Sequence, residues 1–111
     1  MKQKQKRRIN ISLATSQIRM INGYIANNDW YMVMHGYSTC IFDILQLQDR
    51  KMAEDIITII DELLDRIIIT NNREKKAFTE LVKDIKKLSI LDDKACDLYL
   101  KAKKREQIIS R

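Results

Sequence analysis

The chain has 111 residues, 21 Lys and Arg against 15 Asp and Glu, one His, two Cys, two Gly and no Pro. That length suits one compact domain, and a chain this size buries roughly two-thirds of its unfolded surface, so a core is expected without metal or disulfide staples. At 45% hydrophobic and 32% charged residues the composition is that of a globular chain, not a disordered one. Proteins rich in β-turns draw on Gly and Pro every few residues, and neither supply exists here. An all-α fold follows: a single-domain bundle of four to five antiparallel helices with a short basic N-terminal arm. Ile dominates the apolar set, with 18 Ile against 10 Leu and 2 Val. Together with abundant Lys and Asn it points to an AT-rich coding sequence, such as a low-GC bacterium, its phage or another mobile element.

Residues 1–8 hold five cations and one apolar side chain, which predicts a flexible basic arm ahead of a helical domain over 9–111. Ile11, Ala14, Ile18, Ile21 and Ile25 then recur at steps of three and four, placing them on one stripe of a first helix that ends near Asn27 and Asn28. Asn28 or Asp29 caps a second helix whose inner stripe reads Trp30, Val33, Tyr37, Cys40, Ile44 and Leu47, widened by Met34, Ile41 and Leu45. Gly36 interrupts it at a cost of about 1 kcal/mol relative to Ala, which marks either close approach of another helix or simple drift.

Asp49 marks a break and caps a third helix predicted to run to about Ile69. A continuous rod over helices two and three would leave its apolar side unburied in so small a domain. Nine of the fourteen residues from Ile56 to Ile69 are apolar. Such width predicts either the central helix or a face that meets a second subunit, giving a homodimer. Asn71 and Glu74 have the spacing of a capping box at the start of a fourth helix, with Phe78, Leu81, Ile85 and Leu88 inward. Ser89 and Asp92 repeat the signal for a fifth, with Leu91, Ala95, Leu98 and Ala102 inward.

No stretch reaches the roughly 20 clean apolar residues of a membrane span, since Ile56 to Ile69 is broken by Asp61, Glu62, Asp65 and Arg66. The N-terminal residues are too polar for a secretory signal, although their lack of acids leaves a transit peptide as the weaker reading. No membrane contact and a cytoplasmic location are expected. Cys40 and Cys96 stand 56 positions apart without a paired-ligand spacing, so they read as two buried thiols, and no cofactor or metal is expected. The lone His35 has no nucleophile or orienting carboxylate at a usable spacing, and two glycines cannot build a phosphate loop. The carboxylates of helix three, Asp61, Glu62 and Asp65 among them, form an unspecific cluster of the kind found on solvated helix edges. An enzyme is not expected.

The charge is uneven. Residues 1–28 carry six cations and no acid, so the whole net charge of +6 belongs to them, while 29–111 balance. Within that balance, 101–111 are +4 and 29–100 are −4. Clustered Lys and Arg attract phosphate backbones because binding releases condensed counterions. Lys2, Lys4, Lys6, Arg7, Arg8, Arg19, Lys101, Lys103, Lys104 and Arg105 are therefore the candidate nucleic-acid contacts. Arg73, Lys76, Lys83 and Lys87 form a further basic side on helix four, interrupted by Glu80. No recognised nucleic-acid-binding motif accompanies them. The expected function is a small non-enzymatic binding or regulatory protein engaging nucleic acid or a nucleoprotein complex. The alternative is an adaptor or inhibitor, such as a phage-encoded blocker of a host factor. It would bind a protein partner through Trp30, Tyr31 and Met32, residue types enriched at interfaces, or through the wide face of helix three.

Overall fold

The computed structural model describes residues 16–109. Lys2, Lys4, Lys6, Arg7 and Arg8, the arm over 1–8, and Ile11 and Ala14 of the first apolar stripe lie outside the described residues. Among those described, the chain forms five helices and no strand. Helix α1 covers 16–26. It is followed by α2 (Trp30–Leu47), α3 (Arg50–Leu63), α4 (Asn72–Lys87) and α5 (Lys94–Ile109). None is long and apolar enough to cross a membrane.

The first two helix breaks come from single residues that reverse the backbone. Asn28 (φ 56°) and Gln48 (φ 52°) adopt the left-handed conformation that lets a chain leave a helix. In each case an Asp follows and caps the next helix. Asp29 Oδ1 accepts from the Met32 amide at 3.3 Å, and Asp49 Oδ1 from the Met52 amide at 3.1 Å. Each satisfies an amide that has no partner within the helix. Helices two and three are thus separate elements, as the Asp49 break implies.

Helix α3 ends earlier than the sequence predicts. A 3₁₀ turn, Leu64–Arg66, follows Leu63, and Ile67 is already extended at φ −65°, ψ 126°. The apolar run is wide because it serves two geometries. Its helical part buries Ile56, Ile57, Ile60 and Leu63, while the turn beyond it drops Leu64 and Ile67 into the same core. Only Ile68, 57% exposed, faces solvent strongly. Most of that width is therefore covered within the chain, with Ile59 and Ile69 half-buried. Nor is α3 the central helix: α4 is, packing along both α2 and α5, with α3 closing against those two from their other edges.

The α4 start is a shared cap. Asn71 Oδ1 accepts from the Glu74 amide at 2.8 Å, and Glu74 Oε1 reaches back to the amide and hydroxyl of Thr70 at 2.8 and 2.9 Å. At the other end, Leu88–Ile90 form a 3₁₀ turn, so the cap of α5 is Asp92, whose Oδ1 accepts from the Lys94 amide at 2.9 Å. Ser89 does not cap this helix.

The inner stripes meet in one core. Trp30, Val33, Tyr37, Cys40 and Ile44 of α2 face Phe78, Leu81, Ile85 and Leu88, with Ala95, Leu98 and Ala102 of α5 closing the far side. Ile21 of α1 packs onto Gly36 so closely that a Cβ there would lie 2.6 Å from Ile21 Cγ1. Gly36 thus answers the close approach its position suggested.

The two thiols differ. Cys40 is buried and Cys96 is exposed, which corrects the expectation of two buried ones. Burial, with the Asp43 charge as a lesser cause, pushes the Cys40 thiol up to about 11. The Tyr37 phenol is likewise raised, first by burial and then by Cys40. Titration with Ellman's reagent at pH 8 should give one fast thiol, Cys96, with Cys40 reacting only on unfolding. Because Cys40 ionises more easily in the unfolded chain, its contribution to stability is complete below about pH 9. It should decline as pH rises towards 11, as urea midpoints would register.

Candidate nucleic-acid interface

The cations near the end of α5 do not form one cluster. At about 100° per residue, neighbours in sequence point to different sides of a helix. Lys101 and Arg105, four apart, face α3. Lys101 Nζ meets Asp61 at 3.0 Å and Asp65 at 3.8 Å, and the hydrogen bond to Asp61 raises its pKa. Two of the carboxylates clustered in the α3 region thus hold a lysine. Arg105 donates to the backbone carbonyl of Ile67, tying α5 to the extended residue that ends the α3 turn. Lys104 is exposed, with no ion-pair partner among the described residues, and Arg19 is exposed on α1.

These bonds make unequal contributions to stability. The Lys101 pairs are solvent-exposed, so Lys101→Ala should cost no more than about 1 kcal/mol. Arg105→Ala leaves the carbonyl of buried Ile67 without its charged donor and should cost about 1.5–3 kcal/mol. Thermal unfolding of the two variants tests this order.

Lys103 points to the opposite side, towards α4. There it joins Lys83, Lys86 and Lys87 around a cleft of about 600 Å³ between α4 and α5, together with Thr79, Ser89 and Tyr99. Glu106 is the one acid lining it, 3.0 Å from Lys103, and this bond raises the lysine's pKa. Lys86 Nζ lies 5.4 Å from the centre of the Tyr99 ring. Lys83 holds an exposed one-turn pair with Glu80 at 3.6 Å, and Lys87 pairs with the half-buried Asp84 at 3.4 Å. An exposed pair of this spacing is worth only a few tenths of a kcal/mol, so the Lys83 ammonium can turn to a stronger anion at little cost. Over its length α4 carries six cations against three acids.

On its other flank α4 faces α2. Arg73 stacks its guanidinium 3.8 Å above the Tyr31 ring, and that ring is nearly parallel to His35 with centroids 6.2 Å apart. These three, with Ser38, Lys76, Ala77, Glu80 and Asp84, line a cleft of about 410 Å³. The aromatic and Met patch expected of Trp30, Tyr31 and Met32 is not presented as one surface. Trp30 is 6% exposed and belongs to the core, while Tyr31 and Met32 are half-buried. Trp30 is the knob of the α2 stripe, and the residues after it rotate away at helical pitch.

Farther along the same flank, Phe42 is 61% exposed and borders a smaller cleft of about 310 Å³ with Ser38, Thr39, Leu45, Asp84 and Lys87. Phe42, Lys86 and Tyr99 were not singled out by the sequence. Spacing along one helix relates Lys83 to Lys87 and Tyr99 to Lys103, but no pattern within a helix says that the two pairs lie side by side. Compared with known proteins, no family model matches the chain, and neither a curated protein nor a solved structure matches it.

Proposed function

We propose that this chain is a small binding or regulatory protein, without catalysis of its own, that engages nucleic acid or a nucleoprotein complex through the exposed side of α4 and the facing edge of α5. The observation that carries the reading is the convergence of Lys83, Lys86 and Lys87 of α4 with Lys103 of α5 around one cleft with one acid. Four ammonium groups from two helices border this cleft, three of them paired with Glu80, Asp84 or Glu106, and clustered cations of this kind neutralise neighbouring phosphates and release their counterions. Arg19, Lys104 and the N-terminal Lys2, Lys4, Lys6, Arg7 and Arg8 add positive charge that attracts the same polyanion. The test is fluorescence anisotropy with labelled DNA and RNA oligonucleotides across a salt series from roughly 50 to 300 mM. Affinity should fall steeply with salt and fall again when the α4 lysines are reversed in charge. Salt-independent binding, or none, would remove the reading.

A further inference from the structure

Resting on that reading, we infer that the nucleic acid taken is single-stranded, its phosphates held by Lys83 and Lys87 while bases stack on Phe42 on one side of α4 and Tyr99 on the other. Lys87 borders both clefts, the one lined by Phe42 and the one lined by Tyr99, so a cation stands between two aromatic rings. A duplex keeps its bases stacked inside and offers phosphates and groove edges, so an exposed phenyl ring gains little from it. A single strand presents the π-faces of its bases, and stacking on an aromatic side chain is worth about 1–3 kcal/mol per base.

Phe42 is placed for that use. It sits mid-helix on α2, outside the core, and the α2 stripe is complete without it. Beside it the Leu45 side chain supplies an apolar wall. Ser38 borders both α2–α4 clefts, and its hydroxyl is buried without a hydrogen-bond partner. The Thr39 hydroxyl is not available in the same way, because it donates to the His35 carbonyl at 3.1 Å. Across α4, Tyr99 is half-buried, with Lys86 Nζ 5.4 Å from its ring centre, a looser cover than the Arg73 guanidinium 3.8 Å above the half-buried Tyr31.

The experiment compares a labelled single strand of about 12 nucleotides, within the usual footprint of such binders, with its duplex, as DNA and as RNA. It uses the wild-type chain and the variants Phe42→Ala, Tyr99→Ala and Tyr99→Phe. Circular dichroism melts verify that each variant is folded. Tighter binding of the single strand is expected. Phe42→Ala and Tyr99→Ala should each weaken it by roughly 5- to 150-fold, without changing the slope of log affinity against log salt or the duplex affinity. Tyr99→Phe should bind as wild type, because it keeps the ring. Duplex bound as tightly as single strand, or aromatic variants that weaken both forms equally or neither, would overturn the inference. Lysine-dependent binding of duplex alone sinks this inference and leaves the broader reading standing, whereas no salt-dependent binding of any oligonucleotide sinks both.

Discussion

Ile21→Ala should destabilise the chain by about 2–5 kcal/mol, and it should invert the effect of a second substitution, Gly36→Ala. Ile21 is fully buried and its Cγ1 occupies the space where a Cβ on residue 36 would sit, 2.6 Å away. In the wild-type chain, Gly36→Ala gains about 1 kcal/mol in helix propensity but must displace a packed branched side chain, which costs about 1–3 kcal/mol. The net is neutral to destabilising. With Ile21→Ala in place, Cγ1 is gone, so the propensity gain survives and the new methyl partly fills the cavity. Gly36→Ala then becomes stabilising. A double-mutant cycle from urea unfolding should give a coupling of about 1–3 kcal/mol. Clear stabilisation by Gly36→Ala in the wild-type background would mean that α1 does not press on α2 at this point.

Charge reversal of Lys83, Lys86 and Lys87 together should lower affinity for an oligonucleotide on the order of 100-fold at about 100 mM salt. It should also flatten the salt dependence. Each neutralised phosphate contributes about 0.9 to the log–log slope for duplex and about 0.7 for a single strand, so removing the Lys83 and Lys87 phosphate pairs should reduce it by about 1.4–1.8. The control is Lys101→Ala, which removes a cation from the same stretch of α5 as Lys103. Lys101 faces Asp61 and Asp65, away from the α4 cleft, so this variant should bind almost as tightly as wild type. Equal losses of affinity from both would show that total charge matters and position does not. A difference between them separates a shaped interface from general attraction of a basic protein to a polyanion.

The same contrast shows where reading residues in order stops. Lys101, Lys103, Lys104 and Arg105 look like one basic cluster when written in a line. On a helix they divide among three directions: α3 receives Lys101 and Arg105, the α4 cleft receives Lys103, and solvent receives Lys104. Helical period alone predicts the division, but it does not say which neighbour lies on each side. Likewise Trp30, Tyr31 and Met32 are adjacent in sequence and form no common surface, because one residue of the three falls on the buried stripe.

Local physics was enough to specify the class of fold, most of the inward positions of α2, α4 and α5 and the first two breaks between helices. A 3.6-residue period, the absence of Pro, and Asp or Asn side chains able to cap the amides that follow them are all visible in the order of residues. Asp49 and Asn71 are legible on that basis. The early end of α3 was not, because Ile67 leaves the helix to enter the core and to accept a bond from Arg105, a residue 38 positions away. Three-dimensional packing alone established that most of the wide apolar run from Ile56 to Ile69 is covered within the chain. It also made α4 the shared wall of two helix pairs and brought Phe42, Lys87, Tyr99 and Lys103 to neighbouring clefts. Contacts between distant segments depend on how the helices rotate and pack against each other, and a one-dimensional pattern does not encode that rotation.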